Sequence, residues 1–271
     1  KEASVRTLEA SGNILNDFQY DSYTNELKIA GLGSLGYSFR QQDQLSYTFF
    51  YARNAVDTYM KREGYDYEDH NLIGSHSVTH FYSLQNHQLS GKHFFGPQWN
   101  LSWGASYSQT SSDEPDRRQI MFEKKDNRLE LFKLNRQETM RYFGTLDEDE
   151  WAANLSGEYK FGERSKVQAG FTYKDKTRDY SASRFYYNLN KIDPEITDIF
   201  TPSDYLNQDN INQGLVSIER QKLKKDTYDA GNRIYAGYLL TDFYPNENWL
   251  INLGVRYEMS KQWVNYFNDQ S

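Results

Sequence analysis

The sequence predicts an all-β protein, an antiparallel transmembrane β-barrel of about eight strands in four hairpins. Three observations predict it. Apolar and polar residues alternate over many stretches of about ten residues, short turn-like segments join these stretches in pairs, and the aromatic content of 16% is concentrated near the turns. Alternation with a period of two is typical of a strand whose two faces meet different surroundings.

The composition excludes several classes of protein. The 271 residues include no cysteine, so neither disulfides nor thiolate–metal sites stabilise the fold. The net charge of −7 argues against a nucleic-acid partner, which requires a basic surface. No apolar run approaches the roughly 18 residues of a transmembrane helix. The abundance of ring side chains is not typical of a disordered chain either.

The clearest alternation runs from Gln98 to Ser108, where large apolar side chains fall on one face and Asn, Ser and Gly on the other. The alternating stretches, in chain order, lie at 29–39, 45–51, 98–108, 153–161, 167–174 and 249–258. Two further stretches, 78–95 and 234–244, carry large residues on both faces, and their alternation is blurred. Together these stretches give the predicted strands.

Short connections alternate with long ones along the chain. The tetrapeptides at 41–44, 95–98, 162–165 and 245–248 are rich in turn formers or polar residues and predict tight hairpin turns. The segments 61–77, 110–150 and 176–229 are long and polar and are predicted as loops. Outer-membrane barrels have this asymmetry, with short periplasmic turns and long extracellular loops.

The same asymmetry predicts the organisation of the chain. Residues 1–26 are expected to be the end of a preceding extracellular loop, residues 27–263 the barrel segment, and residues 264–271 the start of a further extracellular loop. The chain supplies only about eight strands, so residues 27–263 are expected to form part of a wider barrel and not the whole of one.

The alternation also predicts which side chains face lipid. Trp and Tyr near the strand ends suit the aromatic girdles at the two membrane surfaces, and about ten residues cross the bilayer when the strand is tilted. The predicted lipid-facing residues are Trp99, Leu101, Trp103, Tyr107, Leu155, Tyr159, Phe161, Val167, Phe171, Tyr173, Trp249, Ile251, Leu253, Val255 and Tyr257. The intervening Asn, Ser, Gly, Thr, Lys, Glu and Arg residues are predicted to face the lumen.

The order of these segments resembles a known family. The strand NLSWGASYS at 100–108 runs into DEPDRR at 113–118, a hairpin follows around Gly162, and YAGYLLTDF at 235–243 precedes WLINLGVRYE at 249–258. Together they look like the central barrel of a TonB-dependent outer-membrane receptor of the Bacteroidetes type, and the likeness covers most of residues 27–260.

That resemblance implies location, partners and function. It implies a barrel of about 22 strands filled by a plug, in the outer membrane of a Gram-negative bacterium, that captures and imports a small nutrient by energy transmitted from the TonB complex through the plug. The implied partners are outer-membrane lipid, lipopolysaccharide, and the remaining strands and plug of the same receptor. The nutrient itself is not specified by the sequence, and no ligand-binding residue is assigned.

Two alternatives of other classes remain open. A closed barrel of about eight strands is also a permitted architecture, and it would act as an adhesin or a structural outer-membrane protein. A soluble, aromatic-rich β-module that binds carbohydrate would show alternation as well.

The sequence predicts no catalytic residue, cofactor-binding residue or transition-metal site, and no enzymatic activity. It contains neither a Gly-x-Ser-x-Gly nor a phosphate-binding Gly-x-x-x-x-Gly-Lys motif. The histidines lie between His70 and His93, but on extended strands most of them are too far apart to share an ion. Acidic clusters at 66–69, 113–116 and 147–150 leave Ca²⁺ binding in the loops as an expectation.

Overall fold

The computed structural model describes residues 2–8, 10, 12, 14–40, 42–66, 68–125, 128–132, 139–189, 201–221, 223 and 226–266. Most of these residues lie in β-strands. The strands are β1 (Glu2–Leu8), β2 (Ile14–Phe39), β3 (Asp43–Asp66), β4 (Asn71–Phe95), β5 (Trp99–Lys125), β6 (Arg128–Leu131), β7 (Met140–Phe161), β8 (Ser165–Leu189), β9 (Val216–Gln221), β10 (Thr227–Asn246) and β11 (Trp249–Tyr266). A 3₁₀ turn (Pro202–Asp204) and one short helix, α1 (Gln208–Asn212), precede β9.

The strands form a single antiparallel sheet. Neighbours follow the order β1-β2-β3-β4-β5-β7-β8-β10-β11, with β6 added to β5 and β9 added to β8. The predicted all-β, antiparallel class is therefore confirmed. The sheet is open, since within the described ranges β1 and β11 lie at its two ends and do not pair with each other.

Four hairpins account for the long strands, and their turns lie at the predicted places. The pairs are β2–β3, β4–β5, β7–β8 and β10–β11, and at most three residues separate the two strands of a pair. Gly96 (φ 73°) and Gly162 (φ 65°) occupy turn positions in the left-handed region, which glycine adopts without a Cβ clash. We call the half of each strand nearest these turns its lower half and the rest its upper half.

Among the described residues, two of the predicted long loops (61–77 and 110–150) are mostly strand and the third (176–229) is partly strand, which corrects the sequence-based expectation. β3 continues to Asp66 and β4 begins at Asn71, so that most of 61–77 is paired. Likewise β5 and β7 extend through much of 110–150. β8 continues past residue 176 and ends at Leu189. The pairing does not need apolar alternation, because cross-strand main-chain hydrogen bonds and pairs of charged side chains hold polar strands together.

The terminal segments also differ from the expected loops. Residues 2–8 form β1 and residues 14–26 form the upper half of β2, where Asp21 pairs with both Glu2 and Lys61. At the other end, β11 continues to Tyr266 by pairing with Tyr228, whereas 267–271 lie outside the described residues. Neither segment alternates in hydropathy, and main-chain pairing with a neighbour is what makes them strands.

A β-bulge interrupts β5 at the acidic segment 113–116, which was predicted to lie in a loop. The register between β5 and β7 shifts between Glu114 and Arg117, with Pro115 inside the irregularity. Proline cannot donate a ladder hydrogen bond and is tolerated in a sheet at bulges. As a result, the residues of β5 change faces at the bulge. Even-numbered residues above the bulge lie on the face that odd-numbered residues occupy below it.

The buried core lies in the upper half of the sheet. One cluster comprises Ile73, Ile120, Phe122 and Tyr205, the last contributed by the segment that follows the 3₁₀ turn. A second cluster lies on the opposite face and comprises Phe18, Leu72, Met121 and Phe132. The lower half has no comparable cluster among the described residues, although it carries many of the large apolar side chains.

Replacing Gly64 in β3 by alanine is predicted to destabilise the pairing of β2 with β3. A Cβ there would overlap the main-chain oxygen of Asp17 and lie 2.8 Å from Cα of Phe18. Overpacking of this kind costs about 1–3 kcal/mol. Gly36→Ala, in β2, is the control because nothing lies within 4 Å of its Cβ position. Thermal unfolding followed by circular dichroism should show a lower midpoint for Gly64→Ala only, and equal midpoints would contradict the close approach.

Candidate functional site: a sheet with one apolar face

The strand registers place the predicted lipid-facing residues on one face of the sheet. Directly opposed residues share a face, and Trp103 opposes Leu155, which opposes Phe171. Phe171 in turn opposes Gly237, which opposes Tyr257. Counting along the strands in steps of two from these residues reaches every member of the predicted set. We call this surface face A and the opposite surface face B.

Two rows of aromatic side chains cross face A at different heights. Along the lower row, the tilted rings of Trp99 and Tyr159 have centroids 4.6 Å apart. Along the upper row, Tyr107 lies 4.7 Å from Trp151, and Tyr173 lies 5.1 Å from Tyr235. The lower row also includes Tyr37, Phe39, Tyr47, Phe95, Phe161, Phe243 and Trp249, and the upper row Tyr51 and Tyr257.

The separation of the rows matches a membrane-spanning band. Trp99 and Tyr107 are about 27 Å apart along an extended strand, at about 3.4 Å per residue. A strand tilted by about 40° spans about 21 Å vertically over that length, close to the roughly 25 Å apolar band of outer-membrane barrels. We call the surface between and including the two rows the apolar band.

The apolar band is exposed even in the middle of the sheet. Trp99 is 53% exposed, Leu155 49% and Phe171 48%, although β5, β7 and β8 each have a neighbouring strand on both sides. Their exposure therefore comes from the face they occupy. A continuous apolar surface of this size is rare in proteins surrounded by water and marks an interaction with another protein or with a membrane.

Charged groups begin on face A directly above the upper row. Arg53 lies 5.4 Å from the centre of the Phe81 ring, and Arg233 donates from Nη2 to Oδ2 of Asp175 over 2.8 Å. Higher still, Asp179 directly opposes both Asp147 and Asp229. These ionised groups set the upper limit of the apolar band.

Over the same height, face B is mainly polar, although large apolar side chains such as Leu32 on β2 and Leu240 on β10 also lie on it. On β5 it carries Asn100, Ser102, Gly104 and other small or polar residues. Cross-strand hydrogen bonds connect such residues, for example the Ser46 and Ser90 hydroxyls at 2.7 Å. At this height the sheet thus presents the apolar band on face A and a surface that favours water on face B.

The acidic run 147–150 is divided between the two faces. Glu148 and Glu150 lie on face B, where Lys176 Nζ approaches Glu148 Oε1 at 2.7 Å and Glu150 Oε2 at 3.1 Å. Glu148 also accepts from Arg178 Nη2 at 2.5 Å. Burial raises the pKa of Glu148, but hydrogen bonds from these cations outweigh it and hold that pKa below its usual value.

A second polar cluster occupies the upper part of face B beside the bulge. The Glu114 carboxylate lies 2.7 Å from His80 Nε2 and accepts from Arg117 Nη2 at 2.8 Å. The guanidiniums of Arg117 and Arg184 lie 4.6 Å and 5.3 Å from the centre of the buried Tyr142 ring. From the sequence, Glu114 is predicted only as part of a candidate Ca²⁺-binding loop, and Arg117 and Arg184 have no predicted role, because only the bulge and the register bring these side chains together.

Two histidines at the upper end of the sheet, His76 in β4 and His70 just before it, have opposite electrostatic surroundings. The pKa of His76 lies below its usual value, chiefly because of burial and then because of the Arg117 and Arg62 guanidiniums. The pKa of His70 is raised, since its Nδ1 lies 2.8 Å from Asp66 Oδ2. Burial and two neighbouring cations thus favour the neutral form of His76, whereas the Asp66 carboxylate favours the charged form of His70.

Within the described ranges, no group of three or more His, Cys, Asp or Glu side chains is arranged to hold a metal ion. Many carboxylates of the acidic clusters instead contact Lys, Arg or His side chains, as at Glu114, Glu148 and Asp66. The expected Ca²⁺ in the loops stays a prediction. The described residues also include no helix that is long and apolar enough to cross a membrane.

No protein-family model matches the chain, and no curated protein matches it significantly. The proposed function therefore rests on the geometry of the two faces.

The two histidines are predicted to titrate on opposite sides of pH 6.5, the ordinary value for imidazole. Acidification below pH 6.5 should then reduce the stability of the upper sheet through His76, whose protonation favours the unfolded chain. The His70 contribution is fully present below pH 6.5 and is lost as the pH rises through its folded-state pKa. Histidine-selective NMR titration, assigned with His70→Gln and His76→Gln, measures both values. Two pKa values on the same side of 6.5 would contradict the described surroundings.

Proposed function

We propose that the chain forms part of the wall of an outer-membrane β-barrel in a Gram-negative bacterium, with face A in lipid and face B lining the lumen. The observation that carries this proposal is the apolar band, which crosses all the long strands between two aromatic rows. Tyr and Trp suit both rows, because each ring places an apolar body in lipid and a polar tip among the headgroups.

A soluble carbohydrate-binding module would require a second layer over the apolar band. Among the described residues, the segment containing the 3₁₀ turn packs on the upper half of face A through Tyr205 and Leu206, above the band. Side chains within the band remain largely exposed, as at Leu239 (50%) and Leu253 (63%). A lipid environment accounts for that exposure, and this favours the membrane proposal over the soluble alternative.

Both edges of the sheet favour a barrel wider than these strands alone. Within the described ranges β11 pairs only with β10, and the lower half of β2 pairs only with β3. Unpaired main-chain groups in lipid cost several kcal/mol each. We therefore propose that further strands complete the wall, as in a TonB-dependent receptor, rather than a small closed barrel of these strands.

In such a receptor the chain serves as scaffold and as part of the lumen surface. The remaining strands, a plug and the TonB complex would be its partners in importing a small nutrient, and lipopolysaccharide would surround its upper aromatic row. Face B supplies hydrogen-bonding groups and ion pairs to the lumen, and no catalytic role is proposed for any residue. The short turns are placed in the periplasm and the upper half of the sheet outside the cell.

Arginine substitutions at two neighbouring residues of β5 test this assignment. Leu101→Arg would place a cation in lipid, at a cost of about 2–4 kcal/mol near the midplane, whereas Ser102→Arg would place it in a wet lumen. The full-length protein carrying Leu101→Arg should therefore assemble poorly into bilayers, and the Ser102→Arg protein should assemble like wild type. Assembly is measured by the mobility of unboiled and boiled samples on gels.

A polar substitution without charge provides the control for the loss of the leucine side chain. Leu101→Gln removes the same apolar contacts and should have an intermediate effect. Equal impairment by Leu101→Arg and Ser102→Arg, or impairment by Ser102→Arg alone, would contradict the assignment of the two faces.

A further inference from the structure

A cavity of about 420 Å³ lies on the upper half of face A, where the 3₁₀ turn approaches β5, β7 and β8. Its volume lies within the range of small-molecule sites, roughly 300–1,000 Å³. Arg118, Arg141, Tyr187 and Ser203 contribute polar groups to its lining, and Ile120 and Leu206 contribute apolar ones. The cavity is separate from the polar cluster on face B.

The bulge in β5 brings the two arginines to this cavity. Above the bulge, even-numbered residues of β5 lie on face A, and Arg118 directly opposes Arg141 of β7. Without the extra residue, the side chain at position 118 would point to the other face. Hence a local irregularity of the sheet places two guanidiniums side by side.

One carboxylate, Asp116, serves both guanidiniums. Arg141 donates from Nε to Oδ1 at 2.9 Å and from Nη2 to Oδ2 at 2.8 Å, while Arg118 donates from Nε to Oδ2 at 2.5 Å. Burial raises the pKa of Asp116, but the two arginines together hold it below its usual value, so the carboxyl group stays ionised. The three groups carry a net charge of about +1.

The arginines retain donor capacity toward the cavity. A guanidinium carries five N–H groups, and the contacts with Asp116 use only part of them. Arg141 also forms a hydrogen bond with the Tyr187 hydroxyl, which still leaves N–H groups for a ligand. The Arg141 guanidinium is held in place because it also lies 5.1 Å from the centre of the Phe143 ring. A planar, pre-positioned fork of donors suits the geometry of carboxylate and phosphate oxygens.

We propose that this cavity binds an oxyanion, phosphate or carboxylate, carried on a molecule of about the size of a sugar. The Arg118 and Arg141 guanidiniums and the Tyr187 hydroxyl hold the oxygens, and Ile120 and Leu206 contact the less polar body of the ligand. The cavity lies on the same face as the apolar band. Where the proposed function holds, it opens on the outer side of the barrel above the lipid. The acidic sugars of lipopolysaccharide and free sugar phosphates are both sources of this chemistry there.

The test is isothermal titration of the full-length protein in detergent with inorganic phosphate and with a hexose phosphate. Arg118→Gln and Ser203→Trp should each weaken binding roughly tenfold or more, the first by removing charged donors and the second by filling the cavity. Ser203→Trp leaves the ion pairs with Asp116 in place, so it separates ligand binding from misfolding. Arg220→Gln is the control, because Arg220 lies on the same face, contacts Ser183 and does not line the cavity.

A second arm identifies the source of the oxyanion. Binding of purified lipopolysaccharide by the same proteins is compared with binding of the hexose phosphate. Loss of binding of either probe in Arg118→Gln and Ser203→Trp, but not in Arg220→Gln, supports the assignment of the cavity as an oxyanion site. If the variants bind all three probes as the Arg220→Gln control does, the proposal is overturned. Hexose-phosphate binding by a protein that does not assemble into bilayers would reject the membrane function and leave the cavity assignment intact.

Discussion

Main-chain pairing between antiparallel neighbours decides which side chains share a face, and the apolar band depends on that pairing. Because side chains alternate along a strand, slipping any one strand by a single residue would move its rings from face A to face B. Over the lower halves of the long strands the register is continuous from β2 to β10, and it continues into β11 as far as the pair Phe243–Ile251, below which it shifts by one residue. The apolar band and the polar lining of face B are both consequences of that continuity.

The bulge in β5 is a local exception with its own consequences. It lies at Pro115, where the missing N–H would otherwise leave a gap in the ladder. Above it, Arg117 lies on face B near Tyr142, and Arg118 lies on face A opposite Arg141. The inserted residue thus decides which of these two adjacent arginines lies on each face of the upper sheet.

The sequence predicts the lower half of the fold well and the upper half poorly. From Trp99 to Tyr107, one face carries mostly apolar and the other polar side chains, so hydropathy alternates and predicts the strand. Over 56–65 and 71–82, polar groups occupy both faces, and hydropathy therefore carries little information although the main chain pairs in the same way. The acidic run 147–150 illustrates the difference, because only the register shows that its members point to opposite faces. The cluster around Glu114 and the cavity beside Arg118 depend on the bulge, which a run of charged residues around one proline does not reveal.

The absence of cysteine allows a direct measurement of the surroundings of each face. Single cysteines introduced from residue 99 to 107 of the full-length protein would carry nitroxide spin labels in a bilayer, and their collisions with oxygen and with a water-soluble nickel complex would be compared. The account predicts an alternation with a period of two, with odd positions accessible to oxygen and even positions accessible to the nickel complex. Odd positions that collide with the nickel complex as readily as even positions would contradict a lipid-facing apolar band.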